Sequence, residues 1–264
     1  MGLPNSCQQI VNKIKALQAQ IKQIQLSAGY TQGPDDPHPG KPDPESLAEV
    51  KALQAQIAKL KLSLNSCILN NVAPFPLKIK VSSIYCVKEQ ETGILQDDEP
   101  YVLVASIDLN VFPIPNLEVT LYGPFEDVNT GESRTTNGTP FWALDKSAKT
   151  IAQPTDVIFL VAMMENDDGT PNATRGLVKA QLTAALAASI GMPRPQLINV
   201  LINDMSSALA IPTGFPSSDD RIGVKELVLT PLDLVLPILG PRTRTLSFSG
   251  DGAKYDVSCL LTQG

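Results

Sequence analysis

The chain has 264 residues, 43% hydrophobic and 18% charged, with a formal net charge of −6 and 22 prolines. This composition suits one large globular domain, or one domain with an appendage, and the prolines exclude an all-helical body. No apolar run reaches the ~20 residues that span a bilayer, the N-terminus lacks the basic and apolar pattern of a secretory leader, and the acidic balance argues against a nucleic-acid surface.

Charge is uneven along the chain. Residues 1–70 hold seven lysines against five acids, whereas residues 71–264 hold 14 lysines and arginines against 22 acids. The first region reads as two helices that share the string ALQAQI, at 16–21 and 52–57. Ile10, Ile14, Leu17, Ile21 and Ile24 alternate spacings of three and four, as do Val50, Leu53, Ile57, Leu60 and Leu64. That is the seam of a heptad. Between them lies the breaker GYTQGPDDPHPGKPDPES, with Pro44 ahead of the second helix and Ser46 as a candidate cap.

The register of this hairpin follows from arithmetic. Pairing Ile24 with Val50, Ile21 with Leu53, Leu17 with Ile57, Ile14 with Leu60 and Ile10 with Leu64 holds the sum of residue numbers at 74, as an antiparallel coiled-coil hairpin demands. One layer further out, the same rule sets Cys7 against Cys67. The two face each other at the open end, either bridged or as reduced thiols filling a seam layer. A bridge implies an extracellular compartment, and reduced thiols a cytoplasmic one. Val11, Leu26, Leu47 and Leu62 lie off the seam, available to dock on the body or to support oligomerisation through the hairpin.

Residues 71–264 read as a β-rich body. Strand patterns occur at 77–87, 101–111, 117–123, 157–166 and 221–229, followed by the Pro-broken stretch 231–239 and a pair over 245–261. A helical interval occupies about 174–190 and 195–210, inside an insertion of about 169–218. The fold class is therefore α+β: a helical hairpin over 1–70, then an antiparallel β-sandwich over 71–264 with a two-helix insertion. Trp142 reads as packing. Cys86 and Cys259, on the first and last strands, read as inert buried thiols or as a second bonded pair. Leu177, Leu182, Leu186, Ile190, Leu197, Leu201 and Met205 on the inserted helices read as packing onto the sandwich, with a membrane- or partner-facing role as the alternative.

Ten of the body's 22 acids fall in three loops, 89–99, 165–168 and 219–220. Around them, in order, stand LKIKVSSIYCVKEQETGILQDDEPYVLV, TTNGTPFW, VIFLVAMMENDD and DDRIG. Together these resemble the markers of C2 domains, eight-stranded β-sandwiches that often bind calcium and phospholipid. The resemblance implies a C2-like sandwich with a calcium site formed by Glu91, Glu99, Glu165, Asp167 and Asp220. Asp98, Asp168 and Asp219 then stand behind the site or are merely exposed. Two departures weigh against it: Glu99 and Glu165 stand where the family has aspartate, and 50 residues separate Asp168 from Asp219 where the family has a few. The alternative is a set of solvated loop carboxylates.

Enzyme chemistry has little support. His38 is the only histidine, and it lies in the connector of the hairpin. A multi-histidine zinc site is thereby excluded and a Ser–His or Cys–His nucleophile disfavoured. There is no Gly-x-Ser-x-Gly elbow and no Walker loop. Gly250-Asp251-Gly252 reads only as a turn. The expected function is non-enzymatic binding, of calcium and of a membrane surface or protein partner. The alternatives are a secreted toxin or effector acting on membranes through the hairpin, and a structural component of a larger assembly.

Overall fold

A computed structural model describes residues 3–27, 44–89, 99–142, 148–167, 169–214 and 219–264. The chain divides into two compact units, Met1–Ala73 and Pro74–Gly264.

The first unit is the helical hairpin, α1 (Asn5–Ser27) and α2 (Pro44–Asn71). Pro44 is the first residue of α2 rather than a residue ahead of it, a position where its missing N–H leaves no bond unmade. The predicted layer at the open end is covalent: Cys7 and Cys67 form a disulfide closing 60 residues. Burial along the seam is uneven. Cys7, Ile14, Val50, Ile57 and Leu64 are buried, while Ile10, Leu17, Leu53 and Leu60 are half-buried. Ile68, outside the predicted seam, is fully buried.

The second unit is a sandwich of two antiparallel sheets. Its strands are β1 (Pro76–Lys88), β2 (Pro100–Asp108), β3 (Asn116–Tyr122), β4 (Ser133–Thr135), β5 (Lys149–Thr150), β6 (Val157–Glu165), β7 (Asp220–Glu226), β8 (Arg242–Gly250) and β9 (Ala253–Gln263). One sheet has the order β4-β1-β9-β8, with the two-residue β5 also pairing β1; the other has the order β3-β2-β6-β7. Helices α3 (Pro171–Ala188) and α4 (Arg194–Leu209) are inserted between β6 and β7.

The inserted helices explain an oddity of the sequence. Every residue of β2 and β6 is buried, so neither strand alternates polar with apolar. Strands read this way when both faces are covered. Tyr101, Leu103, Ala105 and Ile107 of β2 and Ile158, Leu160, Ala162 and Met164 of β6 share one core with Val178, Leu182, Leu186, Leu201 and Met205 of α3 and α4. The alternate residues face the first sheet. There Phe159 meets the rings of Phe141 and Trp142 edge-on at 5.3 and 5.5 Å, and Trp142 bridges to Ile79 of β1. Trp142 is a packing residue, with its indole N–H donating to the Lys149 carbonyl.

One reading needs correction, and one pair of alternatives is decided. The stretch 231–239, grouped above with the strands, is helical: α5 (Pro231–Val235) runs into a 3-10 turn over Leu236–Leu239. Pro231 starts the helix, and the buried Asp233 carboxylate accepts from the Thr230 N–H and hydroxyl and pairs with Arg244. A reciprocal cap of this kind outweighs strand propensity over so short a run. Of the two alternatives for Cys86 and Cys259, buried thiols hold: the two form no disulfide. Cys86 lies opposite Tyr255 and Cys259 opposite Val81, which sets them several residues apart along the β1–β9 ladder. Burial pushes the Cys259 thiol up to about 12, which keeps it protonated and unreactive.

Candidate metal centre

Strand register brings the acidic loops to one end of the sandwich. Pro100 at the start of β2 pairs with Glu165 at the end of β6, and Glu165 pairs in turn with Asp220 at the start of β7. On the other sheet Lys88 at the end of β1 pairs with Lys254 at the start of β9, so the β8–β9 turn reaches the same end.

Glu165, Asp167 and Asp220 each offer a carboxylate oxygen, and the three oxygens lie within 4.8 Å of one another. Two oxygens bound to one calcium at about 2.4 Å can be at most about 4.8 Å apart. The spacing therefore admits a shared cation, and these three residues can hold a metal ion. Glu165 is only 6% exposed, so its carboxyl group is held in place rather than left to wander in solvent. Its Oε1 accepts from the Glu99 N–H at 3.2 Å. Glu99 is close by in a second way: its own Oε2 accepts from the Asn166 side-chain amide at 2.9 Å, and its carbonyl from the Asn166 N–H. Glu99 thus buttresses Glu165 and Asn166, and it is not one of the three clustered oxygens. Glu91, Asp98 and Asp168 lie outside the described residues, as does His38.

Asp219 stands behind the cluster. Its Oδ2 accepts from the buried Tyr101 hydroxyl at 2.6 Å. A side chain on Gly169 would place Cβ 1.8 Å from Asp219 Oδ1, so only glycine permits this approach. Burial raises the Asp219 carboxyl above the ordinary carboxylate range, against the opposing effect of the Tyr101 bond. Burial, reinforced by the facing Asp219 carboxylate, also raises the Tyr101 hydroxyl, so it stays a donor at neutral pH.

A further acid comes from a place the sequence reading dismissed. Asp251, at the tip of the β8–β9 turn with φ 48°, makes a side-chain hydrogen bond with Asp220 that raises its carboxyl, helped by repulsion from Asp220 and Asp167. Two carboxyl groups can bond to each other only by sharing a proton. Gly250 lets the turn come this close, since a Cβ there would meet the Ile222 carbonyl at 2.3 Å. The missed signal was topological: the last hairpin belongs at the acidic end only once β9 is known to pair with β1.

The cluster is thus a set of hard oxygen donors in partial mutual repulsion, which a shared cation would relieve. Helices α3 and α4 of the insertion cover the outer face of the second sheet. No described helix is long and apolar enough to cross a membrane. No protein-family model matches the chain. A search of curated proteins likewise finds no match.

Proposed function

We propose that this chain is a non-enzymatic binding protein whose C2-like sandwich holds calcium at its acidic end and attaches to a membrane or protein surface. The observation that carries the reading is the convergence of Glu165, Asp167 and Asp220 oxygens within 4.8 Å, at the ends of two paired strands. The four-strand paths β4-β1-β9-β8 and β3-β2-β6-β7, with the two-residue β5 as a ninth strand beside β1, support the sandwich that the sequence markers imply. Asp251 adds a fourth carboxylate beside Asp220. Backbone carbonyls and water complete a calcium sphere of six to eight oxygens. The disulfide supports an oxidising, extracellular setting.

Titration calorimetry and thermal melting of the full chain in calcium test this. Calcium should release heat and raise the melting temperature, and Asp167→Asn with Asp220→Asn should abolish both effects. Neither heat nor shift with the unaltered chain would remove the metal from the function.

One observation favours the assembly reading as a second possibility. Leu62 is 69% exposed and Leu69 42% exposed on α2, seven residues apart and so on one outward stripe. We propose that this stripe is where the hairpin meets another chain if the protein assembles. Light scattering of the full chain beside Leu62→Gln with Leu69→Gln tests it, and a monomer in both samples would dismiss it.

A further inference from the structure

At the end of the sandwich opposite the carboxylates, two loops are apolar. The β2–β3 connection (109–115) and the α3–α4 turn (189–193) line one open groove of about 250 Å³, shared by Val111, Phe112, Pro113, Ile190, Met192 and Arg194. Phe112 is 89% exposed, Ile190 61%, Ile114 43% and Val111 42%. Phe112 is thus the most exposed of the large hydrophobic side chains described, and it sits in the loop directly ahead of Pro113. Loops of this kind ordinarily carry polar residues.

The two loops carry no charge of their own. Neither LNVFPIP at 109–115 nor SIGMP at 189–193 contains a charged residue. Arg194 is already engaged, its Nη2 donating to the Val157 carbonyl and to Glu226 Oε1 at 2.8 Å. Lys149, near the end of β2, is likewise paired with Asp108. The acidic cluster lies a full strand away, about 30 Å for β2 at ~3.3 Å per residue. That is several times the ~8 Å over which its charge is felt in physiological salt.

A neutral, apolar, protruding surface fits either another apolar protein surface or the hydrocarbon of a bilayer. Area decides between them. Side chains of this size expose about 150–200 Å² each when free, so these four offer roughly 400 Å². A stable protein interface takes about 800 Å² from each partner. A bilayer requires no matching surface and accepts a few apolar side chains at a loop tip. The two loops hold no basic residue to attract anionic headgroups.

We propose that this apolar tip docks on a zwitterionic lipid bilayer, with Phe112 and Ile190 entering the boundary between headgroups and acyl chains. The inference rests on the reading of the chain as a binding protein and names its partner; calcium has no part in it. Flotation of the full chain with phosphatidylcholine vesicles in EDTA tests it. The unaltered chain should float with the vesicles, and Phe112→Glu with Ile190→Glu should lower the bound fraction at least tenfold while leaving the melting temperature unchanged. In Phe112→Trp the emission should shift to the blue on adding vesicles, against a constant background from the buried Trp142.

No flotation of the unaltered chain, or equal flotation of the double variant, would overturn the proposal. So would a dimer in light scattering that the double variant abolishes, since the tip would then be a protein interface. Flotation that needs calcium, fails in Asp220→Asn and survives in the double variant would move the contact to the acidic end. A failed calcium titration alone would leave this proposal standing.

Discussion

The two units are held together by different means. The hairpin buries a single stripe of side chains and is closed by one covalent bond at its open end. The sandwich buries two strands on both faces, and its two unbridged cysteines are sealed inside. A pair of helices with so narrow a seam has little hydrophobic stabilisation to spare. Loss of conformational freedom in the unfolded chain then contributes much of the difference. In the body, burial alone is sufficient.

The comparison can be broken most directly at the disulfide. Cys7→Ser with Cys67→Ser should cost the hairpin about 4 kcal/mol. Helical signal should be lost at a much lower temperature while the body's transition stays where it was. If both transitions fell together, the units would be one cooperative structure and the contrast would fail. Leu160→Ala, in the layer between β6 and the inserted helices, should lower the stability of the body by roughly 2–5 kcal/mol. Calorimetry should show the hairpin's transition unmoved.

The smallest effect concerns the acidic end. Asp219 and Asp251 hold their protons more tightly in the folded chain than in the unfolded one. Their contribution to stability is therefore fully present below the ordinary carboxylate range and is lost as pH rises through their raised values. Asp251→Asn should flatten part of that slope and gain under ~0.5 kcal/mol at neutral pH. Urea titrations of both proteins from acid to neutral pH would show the difference. A wild-type slope matched by the variant would take Asp251 out of the cluster.

Legibility follows the same division. The hairpin's register depends on a period within each helix and a constant sum across them, so Cys7 and Cys67 could be paired by counting. The inserted helices were readable as elements, and their leucine pattern already favoured packing onto the sandwich. Their face was less clear: Val178, rather than the predicted Leu177, is fully buried, and Ile190 points outward. Helical spacing does not say which side of a turn will be covered. Glu165, Asp167 and Asp220 were nameable because their stretches resemble, in order, the acidic markers of C2 domains. Asp251 was not, because its place depends on β9 lying beside β1, a pairing between residues far apart in the chain. Helical 231–239 hid behind an apolar run whose conformation is decided by Thr230 and Asp233 at its start.

The pairing of Glu165 with Asp220 has one more consequence. The chain leaves β6 and re-enters β7 at neighbouring positions, about 4.8 Å apart across the ladder. A turn of two to five residues joins strands so placed. In connectivity the two-helix insertion is therefore a detachable cassette, open to excision, replacement or grafting without disturbing strand order. In substance it is not, because Leu103, Leu160 and Met164 would be left facing water. A transplanted sheet would need a new cover, and any cover with a matching apolar face and two ends at this spacing is a candidate replacement.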